Sequence, residues 1–74
     1  MTKQIVIDGV EMTLAAAQFV AECGVDVAGD VRSLRAGRST RDALLVACLD
    51  GADADRAEGI RDYVAAVSLA TGSV

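Results

Sequence analysis

The amino-acid sequence opens with two short runs in which hydrophobic and polar residues alternate, as in β-strands that turn one face to a core. The runs flank Asp8-Gly9 within residues 4–13, and Asp-Gly in this setting is typical of a two-residue hairpin turn. Such a turn pairs Val6 with Glu11 and puts four apolar side chains on the opposite face of the hairpin. These are Ile5, Ile7, Val10 and Met12. Because an isolated hairpin is only marginally stable, this face needs helices to cover it or a partner's strand to extend the hairpin.

From residue 13 onward, apolar residues recur three and four positions apart, which is the spacing of α-helices. Four times, a residue that favours a helix N-cap precedes a glycine by about the length of a helix, and glycine commonly follows a helix C-terminus. The caps and glycines are Thr13 and Gly24, Asp26 and Gly37, Ser39 and Gly51, and Asp53 or Asp55 and Gly72. They predict helices over about residues 14–23, 27–36, 40–50 and 54–71.

The expected fold class is therefore α+β, mainly α, with an N-terminal β-hairpin packed on four short helices in one domain, 1–74. Gly29 and Gly59 fall inside predicted helices, which indicates a close approach of another element or a weak point. The apolar positions of the four helices predict the rest of the core. They are Ala16, Phe19, Val20 and Cys23; Val27, Val31 and Leu34; Leu44, Leu45, Cys48 and Leu49; and Ala57, Ile60, Val64 and Val67.

Composition argues against catalysis and against a cofactor. Hydrophobic residues reach 53% but aromatic residues only 3%, so a core of small side chains leaves little room for a ligand. There is no histidine to bind a metal or act as a base, and Cys23 and Cys48 lack C-x-x-C spacing. We expect both cysteines to be reduced and to pack as small apolar residues, a disulfide or a nucleophile being the alternatives. With no signal-peptide or membrane-spanning run, the expected location is the cytoplasm.

The arginine row, defined as Arg32, Arg35, Arg38 and Arg41, is the best candidate site. It stands out in a chain of net charge −4, and four guanidinium groups so close in sequence are suited to binding carboxylates or phosphates. The alternative is structural: Arg32 and Arg35 complement a helix C-terminus, and all four pair with the protein's own carboxylates. Arg38 and Arg41 flank a predicted helix N-terminus, where positive charge is unfavourable, and this favours a functional role.

Two other features have structural and functional interpretations. Alternating aspartates after residue 50 are similar to a calcium-binding loop, but counting from Asp53, Glu58 replaces the glycine and Val64 the glutamate of that loop. Helix capping is the expected role, and an acidic contact surface is the alternative. Tyr63 lies beside an apolar series that predicts either core or a dimer seam. As an aromatic residue that a helix can present to a partner, Tyr63 joins the arginine row as a predicted partner-binding residue.

Residues 13–37 resemble a helix-turn-helix DNA-binding motif, with a short helix, a turn at Gly24-Val25 and a second helix that carries Arg32 and Arg35. The register departs from that family, because Asp30 stands where a branched apolar residue is usual. Carboxylates at the start of the second helix would also face phosphates. A small DNA-binding regulator that uses the arginine row is therefore the alternative function, and the acidic net charge makes nucleic acid the less expected partner.

The opening Ile5-Val6-Ile7-Asp8-Gly9-Val10-Glu11-Met12-Thr13-Leu14 resembles the start of small phage and prophage accessory proteins. Such proteins are often inhibitors that bind and block a bacterial host protein, anti-CRISPR proteins among them. The resemblance implies a non-catalytic protein-binding module whose partner is a larger bacterial protein, such as a defence complex. A small core and an unpaired hairpin edge also favour a homodimer.

Overall fold

A computed structural model describes residues 3–72 of the chain. Two strands are followed by four helices, and 64% of these residues are helical, which confirms the predicted α+β, mainly α, class. The elements are β1 (Gln4–Ile7), β2 (Val10–Thr13), α1 (Leu14–Cys23), α2 (Val27–Arg35), α3 (Arg41–Leu49) and α4 (Ala54–Ala70). Within the described residues, no helix has the length and apolar character needed to cross a membrane.

The hairpin has the predicted register. β1 and β2 are antiparallel, and Val6 lies opposite Glu11. Asp8 (φ 50°) and Gly9 (φ 82°) both adopt positive φ, as the two central residues of a type I′ turn do, and the twist of this turn matches that of the strands. The apolar face of β2 is buried through Val10 and Met12, whereas Val6, on the other face, is exposed.

The helix ends follow local capping chemistry. Thr13 ends β2 and also caps α1, because its Oγ1 accepts the N–H of Ala16 at 3.2 Å. Asp26 caps α2 in the same way, through the N–H of Gly29 at 3.0 Å. The glycine after each helix has positive φ, as predicted. These are Gly24, Gly37, Gly51 and Gly72.

The structure corrects one N-cap prediction and decides between the two candidates of another. α3 is capped by Thr40, whose Oγ1 accepts the N–H of Ala43 at 3.1 Å, and not by Ser39. The end of α2 still engages the residue before Ser39, since the N–H of Arg38 bonds to the carbonyl of Ser33 at 3.0 Å. Of the two candidates for α4, Asp53 is the cap.

α4 is the central helix, and it packs against α1, α2, α3 and β2. The large α4 side chains that these elements cover are Ile60, Tyr63, Val64 and Val67, each at most 1% exposed. α1 runs antiparallel to α4, because Thr13 donates a hydrogen bond to Asp62 and, one helix length later, Glu22 pairs with Arg56.

The prediction of close approach at Gly59 is confirmed. A Cβ atom built on this residue would lie 2.6 Å from the carbonyl oxygen of Ala15, so α1 and α4 are separated there by little more than backbone atoms. The missing side chain therefore sets the distance between the two helices that form most of the core.

Two parts of the predicted core are less buried than expected. Cys23 is exposed, because it lies beside the first turn of α4, where that helix only begins and covers little of α1. α3 has no fully buried residue, because α4 is the one helix on which it packs extensively. Its predicted core residues are only partly covered: Leu44, Leu45, Cys48 and Leu49. Cys23 and Cys48 are free thiols.

Candidate partner-binding surface

The arginine row runs from the last turn of α2 to the first residue of α3, and all four side chains are exposed. Arg32 and Arg35 are three residues apart and therefore share a side of α2. Arg38 follows in the short connection, and Arg41 begins α3. The structure thus displays the row along one continuous stretch of surface chain.

The backbone that carries the row is fixed by the end of α2. Gly37 adopts the left-handed conformation, and its N–H donates to the carbonyl oxygen of Leu34 at 3.2 Å. The N–H of Arg38 donates to the carbonyl oxygen of Ser33 at 3.0 Å. This pair of bonds defines a Schellman motif, which orients the chain as it leaves the helix. Arg38 is therefore held at the end of α2 by regular capping geometry.

Arg35 also contacts α4. Its Nη2 donates a hydrogen bond to the carbonyl oxygen of Ala70, 3.3 Å away, at the C-terminal end of that helix. A cation at this place complements the partial negative charge of a helix C-terminus, as do Arg32 and Arg35 for α2 itself. The structural interpretation thus accounts for part of the row, namely the two α2 arginines.

The other half of the structural interpretation, pairing with the protein's own acids, is not observed. Within residues 3–72 the ion pair that the structure contains joins Arg56 and Glu22, at 3.1 Å, and involves no member of the arginine row. The carboxylates of α2 are used elsewhere: Asp26 caps the helix, and Asp30 accepts a hydrogen bond from Tyr63. No carboxylate among residues 3–72 therefore neutralises the row, although Arg35 is engaged with the carbonyl of Ala70.

The prediction that Tyr63 contacts a partner is wrong. Its side chain is 0% exposed, its ring centroid lies 5.6 Å from that of Phe19, and its hydroxyl donates a hydrogen bond to Asp30. Burial, followed by the hydrogen bond and charge of Asp30, raises the pKa of Tyr63. The sequence did contain the signal: Ile60, Tyr63, Val64 and Val67 follow the spacing of one helix face, which places the phenol ring within the apolar stripe.

One exposed apolar surface was missed in the sequence. Ala43, Val46 and Ala47 have the spacing of a single helix face and lie on the solvent side of α3, where Val46 is 68% exposed. We call these three residues the α3 outer face. The available signal was the unbroken apolar run from Ala43 to Leu49, which is too long to fit on one side of a helix.

Three further observations concern the cysteines, metal binding and a groove within residues 3–72. The pKa of the Cys48 thiol is raised by burial, Asp30 and Cys23, which lowers the fraction of reactive thiolate. No group of three or more metal-ligating side chains occurs among residues 3–72. An open groove of about 280 Å³ between α1 and α4 is lined by the Glu22–Arg56 pair, by the Asp53 cap and by Asp55.

Comparisons of the chain with protein-family models, curated proteins and solved structures gave no match. Its function must therefore be inferred from the chemistry of its own surface.

Proposed function

We propose that this chain is a non-catalytic protein-binding module that uses the arginine row to dock on an acidic surface of a larger protein. The observation that carries the proposal is the exposure of all four arginines without a carboxylate partner among residues 3–72. Four of the seven basic residues lie within ten positions of a chain with net charge −4. Such a concentration of positive charge favours an acidic partner and gives it a preferred docking direction.

The guanidinium group suits this role, because its planar donors bind a carboxylate through two parallel hydrogen bonds. Rim ion pairs contribute mainly to the rate of association, whereas a pair that becomes desolvated at the centre of an interface also slows dissociation. Arg38 is held by the Schellman motif, so part of the ordering cost is met before binding. The row is thus better prepared for recognition than arginines on an irregular loop.

The concrete form of the proposal follows the resemblance of the N-terminal hairpin to phage and prophage accessory proteins. In this form, the chain binds and inhibits a bacterial host protein, such as a defence complex of the anti-CRISPR target class, from within the cytoplasm. The small size, the acidic composition and the lack of a metal-ligand cluster among residues 3–72 suit an inhibitor that acts by occupying a site.

The test is affinity capture from bacterial lysate with the whole chain as bait, followed by measurement of binding to the purified partner. We expect one partner at near-equal stoichiometry. The variant Arg38→Ala/Arg41→Ala leaves the Arg35–Ala70 hydrogen bond in place. It should weaken binding about tenfold or more, since each lost charged hydrogen bond is worth roughly 1.5–3 kcal/mol. The matched control is Lys3→Ala/Arg61→Ala, which removes the same charge from exposed positions outside the row and should bind like the wild type.

Capture of no stoichiometric partner, or equal binding by the two double variants, would contradict the proposal. The alternative function, DNA binding by a helix-turn-helix-like regulator, is tested with duplex DNA at low ionic strength. If the chain binds this DNA, and if the binding falls steeply with salt and is lost in Arg32→Ala/Arg35→Ala, DNA binding is favoured over the proposed function. Asp26 and Asp30 lie in the first half of α2, where a recognition helix meets the DNA, and for this reason protein binding is the stronger candidate.

A further inference from the structure

The outer edge of β1 carries backbone groups that the sheet leaves unpaired. β1 and β2 form a two-stranded sheet, and no third strand from residues 3–72 lies along β1. In a hairpin with a two-residue turn, the pair next to the turn, Ile7 and Val10, exchanges hydrogen bonds, whereas the next pair, Val6 and Glu11, does not. The N–H and C=O groups of Val6 therefore point away from β2, towards the open edge.

The side chains of β1 are also less covered than those of β2. On the apolar face of the hairpin, Val10 and Met12 of β2 are at most 3% exposed, whereas Ile5 and Ile7 of β1 are only partly buried. On the opposite face, Val6 is 61% exposed. An edge that combines unpaired backbone groups with uncovered apolar side chains is suited to binding another strand, because a strand supplies both hydrogen bonds and alternating side chains.

We infer that β1 is a homodimer interface, in which β1 of one copy pairs antiparallel with β1 of a second copy about a two-fold axis at Val6. Each Val6 N–H then donates to the carbonyl oxygen of the other Val6. The two hairpins form one four-stranded sheet. Because the two-fold axis is perpendicular to this sheet, the apolar faces of both hairpins lie on the same side of it, next to the helices of their own copies.

The side chains of β1 match those of a second β1 position by position, and this match identifies the partner. In the register centred on Val6, Ile5 lies opposite Ile7, so branched apolar residues meet at the three central positions. Gln4 lies opposite Asp8, whose carboxylate can accept a hydrogen bond from the Gln4 amide. β1 itself carries no charge, so no like charges face each other across the axis. An unrelated strand would need the same pattern, which a second copy always supplies.

The length of β1 sets the expected strength. Four residues of strand are about 13 Å long, so the contact is smaller than a standard stable interface of about 800 Å² per partner. The dimer is therefore expected to be weak, with a dissociation constant of about 20 to 500 µM. The arginine row lies outside the hairpin, so this inference does not depend on the proposed function and is tested with different variants.

The first experiment measures hydrogen exchange of the Val6 amide by NMR on the full chain. A reductant is present, so that the exposed Cys23 cannot link two copies. The Val6 N–H should exchange about threefold or more slowly at about 2 mM protein than at about 20 µM, because the dimer bonds it and the monomer does not. The control is the amide of Asp55, in the first turn of α4, where no intrahelical partner exists; its exchange rate should not change.

The second experiment measures sedimentation velocity of variants at the axis. Val6→Lys and Val6→Glu should each weaken association about fivefold or more, because each places two like charges opposite each other. Both should remain folded by circular dichroism, since Val6 is exposed in the monomer. The matched control is Val46→Lys, at a position 68% exposed on the α3 outer face, which should associate like the wild type.

An equimolar mixture of Val6→Lys and Val6→Glu tests the position of the axis, because residue 6 then faces the opposite charge of the other variant. The mixture should recover association towards that of the wild type. A wild type that stays monomeric up to about 2 mM, a dimer unaffected by Val6→Lys, or no recovery in the mixture would each overturn the inference. Protection of the Val6 amide only after a captured partner protein is added would assign the edge to that partner, and would overturn it as well.

Discussion

Replacement of Gly59 by alanine tests the packing of α1 on α4, because two opposing effects act at this one position. Gly59 lies inside α4, where alanine is favoured over glycine by about 0.8–1.0 kcal/mol through helix propensity alone. On propensity alone, therefore, Gly59→Ala should stabilise the protein.

The structure predicts the opposite sign. The new Cβ would lie 2.6 Å from the carbonyl oxygen of Ala15 and 3.1 Å from its carbonyl carbon. These are backbone atoms of α1, so no rotation of a side chain relieves the contact. To restore an ordinary separation of about 3.5 Å between the Cβ atom and this oxygen, α1 would have to move by about 1 Å. Overpacking of this kind costs about 1–3 kcal/mol, which exceeds the gain from propensity.

We therefore expect Gly59→Ala to lower the free energy of unfolding by about 1 kcal/mol, and Tm by about 4–8 °C for a domain of this size. Urea unfolding followed by circular dichroism measures the first, and thermal unfolding the second. The control is Gly29→Ala, where the new Cβ meets only the side chain of Asp26. That carboxylate can rotate away, so loss of the cap, about 1 kcal/mol, roughly cancels the gain of about 1 kcal/mol in propensity. A Gly59→Ala variant as stable as the wild type, or more stable, would refute the argument.

Three further predictions concern Tyr63, Ser68 and the two cysteine thiols. Tyr63→Phe should lower the unfolding free energy by about 1–2 kcal/mol, since Asp30 loses its donor. The pKa of Tyr63 is raised in the folded state, so above about pH 10 the phenol ionises more readily in the unfolded chain. The wild type should therefore lose stability as the pH rises above about 10. Urea titrations of Tyr63→Phe should not show this loss. Ser68→Ala should raise the unfolding free energy by about 1 kcal/mol in the same assay, because the buried Ser68 hydroxyl has no hydrogen-bond partner among residues 3–72. An unchanged or lower value would count against this. Iodoacetamide at neutral pH should label the exposed Cys23 faster than the partly buried Cys48, as followed by mass spectrometry. Equal rates would contradict the difference in exposure between the two thiols.

The hairpin and the helices could be predicted from the sequence because they depend on interactions between residues close together in the chain. The conformation of Asp8-Gly9 depends on the residues of the turn itself, and it sets the strand register without help from the rest of the chain. The glycines at the helix ends likewise adopt positive φ because of local geometry. Where two capping residues are adjacent, as Ser39 and Thr40 are, only the structure shows that Thr40 is the cap.

Exposure was decided by tertiary structure, because whether a helix position is covered depends on where neighbouring helices begin and end. Tyr63 is buried because Phe19 of α1 packs against its ring, and Asp30 of α2 accepts the hydrogen bond from its hydroxyl. Cys23 is exposed because α4 begins beside it. Val46 has the same apolar character as many core residues, yet it faces solvent because α3 packs chiefly on α4 alone. The sequence by itself therefore determined the elements and identified the arginine row, whereas only the fold decided that the row lacks carboxylate partners among residues 3–72 and that an apolar face lies on α3.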